Sequence, residues 1–281
     1  MSAPPRGSRG REPRAQLAAR LAHVGGKMAL ERFESAQVDW KRDDSMITNA
    51  DLEIQAWLAD EIQSAFPEDG ILGEEGLAPG PRRLDATYVW VLDPLDGTNN
   101  FGRGIPGFSV SVGVLRAGRP LAGAVYDPLA DQLFRAAEGK GAWCNERELR
   151  IEPAGLGPRS LFTVRAPFRD GVPPWVEGWM QRYRLRRVGS TALHLCYVAL
   201  GALAVVHDHT ASLWDIAGAA PVVLEAGGRL TTAAGDELFP IQTDTYRGEP
   251  IDFLAADPLA HETALRDMGA AQAARACETI P

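Results

Sequence analysis

Cysteine is scarce in this chain of 281 residues, which has three (Cys144, Cys196 and Cys277) and no C-x-x-C pair. So sparse and odd a count argues against a disulfide framework and against a zinc site built from thiolates. Long apolar runs are also missing, since the longest nearly apolar stretch is residues 195–206 and a membrane-spanning helix needs about 20 residues. The hydrophobic fraction of 45% is nevertheless ordinary for a globular protein and suffices for a sizeable core.

Basic charge is in deficit, because 29 Lys and Arg residues stand against 37 Asp and Glu residues, for a net charge of −8. A negative surface repels phosphate backbones, which argues against sequence-independent nucleic-acid binding. A surplus of carboxylates is also what a site for hard divalent cations needs. Residues 1–14, rich in Pro and Arg, lack the apolar region of a secretory signal, so we expect a disordered tail on a soluble, cytoplasmic protein.

Hydrophobic periodicity predicts an alternation of helices and strands. In the first half it predicts helices over residues 15–33 and 49–66, a buried strand over 88–92 and an antiparallel meander over 108–151. In the second half it predicts strands at 161–164, 203–206 and 251–255 and helices at 175–182, 190–200, 214–226 and from 257 onward. Strands covered by helices in both halves predict a layered α/β fold with two subdomains, residues 15–155 and 156–281.

The most informative segment is residues 93–101, DPLDGTNNF, which directly follows the buried strand. Pro94 is expected to force the chain out of that strand at Asp93. Asp93 and Asp96 then share one tight turn with the free backbone carbonyl of Leu95. Such a turn offers several oxygens to more than one divalent ion.

Gly97 and Thr98 come next, at a predicted helix start whose unpaired N–H groups favour a phosphate oxygen. Metal ligands beside anion-binding amides predict a site for phosphate esters. An EF-hand beginning at Asp93 would need ligands at Leu95, Gly97 and Gly104, none of which has a ligand side chain. A Walker-type NTPase would need a G-x-x-x-x-G-K-[ST] motif, which the chain lacks. An ordinary surface turn is the alternative for Asp-Pro or Asp-Gly taken alone.

Three further segments complete a family pattern. Residues 41–51 read KRDDSMITNAD, residues 71–76 read ILGEEG, and residues 214–228 read WDIAGAAPVVLEAGG. Together with DPLDGTNNF, these motifs resemble the inositol monophosphatase family in order and approximate spacing, over residues 15–270. That family belongs to the lithium-sensitive, magnesium-dependent phosphatases, with fructose-1,6-bisphosphatases and 3′-phosphoadenosine 5′-phosphate phosphatases. The resemblance implies a five-layer α-β-α-β-α sandwich.

The resemblance also implies residue roles around two or three Mg²⁺ ions. The implied metal ligands are Glu74, Asp93 as the bridge, the Leu95 carbonyl, Asp96 and Asp215, with Glu74 also serving a third, weaker ion. The Thr98 hydroxyl and Asp51 would orient and deprotonate the attacking water, and the Gly97 and Thr98 amides would hold the phosphate. Two simpler readings stay open. Asp51 could be only the partner of a Thr48 helix cap, and Asp215 only a favourable charge at a helix N-terminus.

Substrate contacts are implied at Thr191 and Asp208, the second being where inositol phosphatases carry an acid that binds ring hydroxyls. The chain departs from the family at two positions in this half. Ala204 stands where many members have Asp, and His194 stands where an acidic residue is frequent. We read His194 as packed or surface-exposed rather than catalytic. The two histidines that flank Asp208 lack a third ligand at zinc spacing.

These patterns predict a Mg²⁺-dependent phosphomonoesterase that acts on inositol monophosphate or a similar small polyol phosphate. The alternatives are the same chemistry on histidinol phosphate, fructose 1,6-bisphosphate or adenosine 3′,5′-bisphosphate, and a catalytically silent metal-binding scaffold of a different class. The resemblance further implies inhibition by lithium and a homodimer. We expect no nucleic-acid polymer or membrane as a partner.

Overall fold

Two large β-sheets with helices on their faces make up the fold. The structure is a computed structural model, and it describes residues 11–33, 35, 37–41, 46–76, 83–168 and 171–278. The helices are α1 (Arg11–Arg32), α2 (Asn49–Ala65), α3 (Thr98–Phe101), α4 (Pro174–Arg182), α5 (Thr191–Ala199), α6 (Leu213–Ala217), α7 (Ala220–Glu225) and α8 (Pro258–Glu278). The strands are β1 (Val38–Trp40), β2 (Met46–Thr48), β3 (Gly70–Gly73), β4 (Tyr88–Asp96), β5 (Ser109–Arg116), β6 (Arg119–Asp127), β7 (Gln132–Ala137), β8 (Ala142–Cys144), β9 (Arg147–Leu149), β10 (Leu161–Val164), β11 (Arg184–Leu185), β12 (Val205–Ala211), β13 (Arg229–Thr232) and β14 (Ile251–Ala256).

The first sheet has seven strands in the order β3-β4-β5-β6-β7-β8-β9. β3 and β4 are parallel, and each later pair is antiparallel, which confirms the meander predicted for residues 108–151. Valines alternate with small residues along 109–114, and this run is buried on both faces because helices cover both sides of the sheet. β4 lies between β3 and β5, and its acidic end extends past β3 and pairs with β5 alone.

The second sheet has five strands in the order β11-β10-β12-β14-β13. β10 runs parallel to β11 and β12, whereas β14 is antiparallel to β12 and β13. The carboxyl ends of β10 and β12 therefore meet at one edge of the sheet, which is where open α/β sheets bind ligands. α5 begins at this edge, since the hydroxyl of Thr191 lies 3.3 Å from Asp208 of β12.

Three hydrophobic clusters separate five layers. In the first cluster, Leu21 of α1 and Ile54 of α2 pack against one face of the seven-stranded sheet. In the second, Leu193 of α5 and Val222 of α7 fill the space between the two sheets. In the third, α4 and α8 cover the outer face of the five-stranded sheet, with Trp179 fully buried. The resulting order of helix, sheet, helix, sheet and helix confirms the predicted five-layer sandwich.

α1 begins earlier than the composition suggests. Residues 1–10 of the predicted tail lie outside the described residues, but residues 11–14 are helical. Arg14 explains the difference, because its guanidinium donates to both oxygens of Asp69 at 2.7 and 2.8 Å. The same group stacks on the rings of Phe66 and Tyr88, at 4.2 and 3.9 Å from their centroids. The boundary of the predicted tail at residue 14 is therefore wrong.

Three other predicted boundaries differ from the structure. β4 does not stop at Asp93 but continues to Asp96 through a bulge. β12 extends to Ala211 because polar residues such as His207 also pair with β14. A hydrophobicity pattern does not detect this part of the strand, since its residues are polar. The helix expected at 214–226 is divided into α6 and α7, where Pro221 lacks the N–H that a continuous helix needs. The strands β1, β2 and β11 have only two or three residues, too few for a periodic signal, and the sequence pattern also does not indicate β13.

Candidate active site

Three carboxylates meet in the layer between the two sheets. One oxygen from each of Asp93, Asp96 and Asp215 lies within 4.8 Å of the others. Asp93 and Asp96 come from the end of β4, and Asp215 comes from the first turn of α6. We call these three side chains the acidic centre. Within the described ranges, it is the one group of three or more His, Cys, Asp or Glu side chains close enough to share a metal ion.

A bulge at the end of β4 turns both of its aspartates toward the acidic centre. Asp93 pairs with Ser111 of β5 and Asp96 pairs with Ser109, so three steps along β4 oppose two steps along β5. Side chains alternate between faces along a regular strand, which would put residues three apart on opposite sides. The extra residue reverses this alternation. Pro94 lies inside the bulge, a position that tolerates its missing N–H.

The N-terminus of α5 holds Asp96. The carboxylate accepts hydrogen bonds from the Ser190 hydroxyl at 2.5 Å and from the Thr191 and Ala192 amides at 3.2 and 2.6 Å. Burial raises the pKa of Asp96 to about 6, although these hydrogen bonds act to lower it. Ser190 is not among the residues predicted for the site, and its partner lies 94 positions away in sequence. Asp96 therefore ties the seven-stranded sheet to α5.

Asp215 is fixed at the start of α6. The Ser212 amide donates to its carboxylate at 2.6 Å, and the pair forms a capping box. Asp215 therefore does stabilise a helix N-terminus, which is the simpler interpretation of this residue. The same carboxylate also belongs to the acidic centre. Burial raises the pKa of Asp215 well above its ordinary value, and the nearby charges of Asp96 and Glu74 raise it further.

Asp93 has a carboxylate oxygen without a partner. Its Oδ1 accepts from the Leu95 amide at 3.0 Å, whereas its Oδ2 is buried and has no hydrogen-bond partner in the described part of the chain. Burial and the charges of Glu74, Asp96 and Asp215 raise its pKa well above the ordinary range. Buried carboxylates that repel one another need protons or a cation. A donor set made of hard oxygens fits a divalent cation such as Mg²⁺.

Glu74 lies beside the acidic centre and is already ion-paired. Lys41 Nζ lies 3.0 Å from Glu74 Oε1. The charge of Glu74 raises the pKa values of Asp93 and Asp215, so its carboxylate lies near theirs. Its oxygens are nevertheless outside the group that meets within 4.8 Å. Of the four side chains predicted as metal ligands, the structure therefore brings three together, and it pairs the fourth, Glu74, with Lys41.

Two residues outside the predicted site position this acidic turn. Lys41 also lies 2.6 Å from Glu75 Oε1. Gln55 of α2 accepts from the Glu75 amide at 3.0 Å and donates to the Gly76 carbonyl. Burial acts to lower the pKa of Lys41, but the two glutamates outweigh it and raise that pKa above its ordinary value. Lys41 has a sequence signal in the segment KRDDS, whereas Gln55 is one of several polar residues on its helix and has none.

Thr98 and Asp51 lie side by side. The Thr98 hydroxyl is 3.2 Å from Asp51 Oδ1 and 2.8 Å from the Leu95 carbonyl oxygen, so its single hydrogen serves one of them at a time. Asp51 Oδ2 accepts from the Thr48 amide at 2.8 Å, so the helix-cap contact is present as well. Burial raises the pKa of Asp51 to about 6. At neutral pH it is largely ionised and near the pKa that suits a general base.

Gly97 occupies a position that excludes other residues. Its φ is 95°, in the left-handed region, and a Cβ there would lie 2.7 Å from the Gly107 carbonyl oxygen. The turn at Gly97 lets α3 begin two residues after Asp96. The first amides of a helix have no intrahelical acceptor, which leaves those near Gly97 and Thr98 for another partner. Phosphate binding by these amides stays a prediction.

Asn100 joins two loops beside the site, although the sequence motif that contains it indicates no role for its side chain. Its amide nitrogen donates to the Gly107 carbonyl at 2.9 Å and to the Val188 carbonyl at 2.6 Å. Gly189 follows with φ 102°, and a Cβ there would collide with the Asn100 side chain. Asn100 thus holds α3 against the segment that leads into α5.

Thr191 and Asp208, the expected substrate contacts, lie next to the acidic centre. The Thr191 hydroxyl is 3.3 Å from Asp208 Oδ2, while the Thr191 amide donates to Asp96. Asp208 Oδ1 also accepts from the Thr210 amide at 2.9 Å. Arg165 approaches Asp208 Oδ2 at 3.9 Å and is not among the residues predicted for the site. The structure brings this group together, and its substrate role stays a prediction.

The histidines and Ala204 contribute no metal ligand to the acidic centre. His194 is 5% exposed, and its Nε2 accepts from a backbone amide of the loop before α5 at 2.9 Å. Burial lowers the pKa of His194 to about 3, so the ring is neutral. His207 contacts Asp252 at 2.9 Å, and the part of the chain described here has no metal-binding group that contains it. Ala204 packs with the cluster under α4 and α8.

Comparison with known proteins places the fold in one class, the phosphatases with this layered architecture. The solved structure of the IMPase from Thermotoga maritima superposes with a TM-score of 0.80 at 26% identity, covering 93% of this chain and 99% of that one. The Nus factor SuhB of Pseudomonas aeruginosa is 32% identical over 239 residues, which is 81% of this chain and 88% of that protein. Inositol monophosphatase 3 of Solanum lycopersicum is 31% identical over 231 residues, or 79% and 86%.

The profile of the inositol monophosphatase family matches residues 11–277. The chain therefore belongs to the inositol monophosphatase family and is a phosphatase. Dependence on a divalent metal agrees with both the family and the acidic centre. Among the helices described, none combines the length and the apolar character needed to cross a membrane.

Proposed function

We propose that this protein is a Mg²⁺-dependent phosphomonoesterase that acts on inositol monophosphate or a similar small polyol phosphate. The observation that carries the proposal is the acidic centre with its buried, unpartnered Asp93 Oδ2. Carboxylates alone repel a phosphate ester, so an anionic substrate needs cations at this place. Family membership and the name of the tomato relative, an inositol monophosphatase, support the choice of ester.

Two or three Mg²⁺ ions per site belong to the proposal. The residues that would hold them are Glu74, Asp93, the Leu95 carbonyl, Asp96 and Asp215. When bound, Mg²⁺ lowers the pKa of water and neutralises charge on the phosphoryl oxygens. Asp93 is the one carboxylate of the acidic centre with a buried oxygen that has no hydrogen-bond partner among the described residues, and it would be the ligand shared by two of the ions.

The chain's own residues would orient the attacking water and the ester. The Thr98 hydroxyl, 3.2 Å from Asp51, would donate its own hydrogen to Asp51 and accept one from the water, so that Asp51 takes up the Thr98 proton as the water's proton replaces it. The Gly97 and Thr98 amides donate to the phosphate oxygens. On the leaving-group side, Thr191 and Asp208 contact the alcohol. Inhibition by lithium, a homodimer and a cytoplasmic location are parts of the same proposal.

Release of inorganic phosphate from a panel of monoesters tests the proposal. The panel contains inositol 1-phosphate, histidinol phosphate, fructose 1,6-bisphosphate and adenosine 3′,5′-bisphosphate, each with Mg²⁺ and with EDTA. We expect hydrolysis with Mg²⁺, loss of activity in EDTA and recovery when Mg²⁺ is restored. Hydrolysis of none of the esters would refute it, and the rank order of rates distinguishes the substrates.

A further inference from the structure

A small polar cavity lies beside the acidic centre, at the carboxyl ends of β10 and β12. We call it the arginine pocket, and its lining includes Thr163, Arg165, Arg187, Thr191, His194 and Asp208. Thr191 joins the two sites, because its amide donates to Asp96 while its hydroxyl contacts Asp208. An ester whose phosphate is bound at the acidic centre would therefore direct its alcohol part toward this pocket.

Positive charge exceeds negative charge in the arginine pocket. Among the residues that line the pocket, the single carboxylate is Asp208, which lies 3.9 Å from Arg165. The charge of Arg165 also acts on Asp96 of the acidic centre. Arg187 donates to the Ala166 carbonyl at 2.8 Å, a neutral acceptor, and makes no ion pair with any residue that the structure describes. His194 adds no charge, because burial holds its pKa near 3.

The two guanidinium groups are close enough for their charges to affect each other and the same neighbouring side chain, His194. Burial and the charge of Arg165 lower the pKa of Arg187, and the charges of both arginines act on buried His194. Two like charges around one carboxylate leave a net attraction for an anion. Both groups are partly exposed, and the Arg165 side chain is 41% exposed, so a ligand can reach them.

An unpartnered hydroxyl in the pocket also indicates a polar occupant. Thr163 is 2% exposed, lines the pocket, and has an Oγ1 without a hydrogen-bond partner in the described ranges. Buried side-chain polar atoms are rarely left unpaired in folded proteins. A hydroxyl group can donate to an oxygen of a bound anion, which would satisfy it.

We propose that Arg165 and Arg187, the partly exposed guanidinium groups of the arginine pocket, bind a second anionic group on the alcohol part of the substrate, with at most one of its oxygens entering the cavity of about 10 Å³. The preferred ester then carries a carboxylate or another phosphate in addition to the phosphate that is removed. This inference rests on the proposed function and narrows its small polyol phosphates to those with a second anionic group, so that inositol monophosphate would be hydrolysed less efficiently than such an ester. Guanidinium groups bind carboxylates and phosphates through paired hydrogen bonds, whereas an alcohol with hydroxyls alone would leave Arg187 without a partner of opposite charge.

Two matched pairs of esters test the inference. Glycerol 2-phosphate and 2-phosphoglycerate differ by a carboxylate in place of a hydroxymethyl group, and inositol 1-phosphate and inositol 1,4-bisphosphate differ by a second phosphate. The readout is the ratio of kcat/KM within a pair, anionic over neutral. We expect Arg165→Gln and Arg187→Gln each to lower that ratio in at least one pair by about 10- to 100-fold, the range for a lost charge-assisted contact.

Arg186→Gln is the matched control, because Arg186 is exposed and donates to the Leu185 carbonyl outside the pocket. It should leave both ratios unchanged, and Arg187→Lys should retain part of the preference because it keeps the charge. Unchanged ratios in both pocket variants, with the neutral esters still hydrolysed, would overturn the inference and leave the proposed function intact. If none of the four esters is hydrolysed with Mg²⁺, the proposed function fails and the inference fails with it.

Discussion

Asp93 is surrounded by the charges of three other carboxylates, those of Glu74, Asp96 and Asp215, and it is fully buried. Each neighbouring charge disfavours its ionised form, so in the absence of a cation the residue opposes folding at neutral pH. A divalent ion bound at the unpartnered Oδ2 would reverse this effect. The stability of the metal-free protein therefore favours an uncharged side chain at position 93, whereas cation binding requires a carboxylate there.

Asp93→Asn tests the effect of this carboxylate on activity and on stability in one variant. The variant should lower phosphate release by at least about 1,000-fold, or roughly 4 kcal/mol of transition-state stabilisation, because the bridging ligand is lost. In EDTA its Tm should equal or exceed that of the parent protein, because like-charge repulsion is removed. Added Mg²⁺ should raise its Tm less than it raises that of the parent.

Asp60→Asn is the control for Asp93→Asn, because Asp60 is an exposed residue of α2 away from the acidic centre. This control should keep the parental activity, Tm and response to Mg²⁺. Full activity of Asp93→Asn, or an undiminished response of its Tm to Mg²⁺, would contradict the assignment of Asp93 as a ligand.

α1 shows how one buried contact fixes the start of an element. The side chains of Arg14 and Asp69 are 11% and 5% exposed, and Asp69 also accepts from Trp90 Nε1 at 2.9 Å. The first turns of α1 are thereby held against the edge of the seven-stranded sheet, where β3 and β4 meet. A segment with the composition of a tail becomes an ordered helix because its arginine has a buried partner.

Arg14→Met should lower the free energy of unfolding by about 3 kcal/mol, because it leaves the buried Asp69 carboxylate without its cation. Urea unfolding followed by circular dichroism measures the change. Arg20→Met is the matched control on the same helix, since the Arg20 pair with Glu61 is exposed. The control should change the free energy of unfolding by about 0.5 kcal/mol or less. Equal effects of the two substitutions would show that the Arg14 contact does not hold α1.

The elements that could be predicted from the sequence are those with a long periodic pattern. The meander and α2 are of this kind, and the acids of the site could be predicted from motif spacing. The bulge in β4 could not, because the strand ends on polar residues and Pro94, which usually mark a turn. The hydrogen bonds from the start of α5 to Asp96 could not be predicted either. They join residues about 94 positions apart, and they depend on how the two sheets stack.

At the scale of the whole molecule, four aspartates make the free energy of unfolding of the metal-free protein depend on pH. Burial raises the pKa values of Asp51 and Asp96 from 3.8 to about 6, and those of Asp93 and Asp215 rise well above the ordinary value. Between the unfolded and the folded pKa the native state binds more protons than the unfolded chain. The stabilisation from these groups is therefore complete below pH 3.8 and is lost as the pH rises through the folded pKa values.

Mg²⁺ should compete with protons for the same oxygens. The rise in Tm on adding saturating Mg²⁺ should be larger at about pH 8 than at about pH 5.5, because the ligands must lose their protons first. Taking the difference between Mg²⁺ and EDTA at each pH cancels the contribution of His194, which titrates in both conditions. A rise in Tm that is equal at both pH values, or larger at the lower one, would contradict the raised pKa values of the acidic centre.

The distance along the chain between the parts of the acidic centre sets the order in which it can assemble during synthesis. Asp93 precedes Asp215 by 122 positions, and Asp96 precedes its partner Ser190 by 94. At usual rates of translation, about 6 to 24 seconds pass between the first and the last of these carboxylates. For the first part of that interval the nascent chain carries Asp96 without Ser190, the residue at the start of α5 that holds it. Cation binding by the complete centre would therefore have to wait until residue 215 has been synthesised, long after β4.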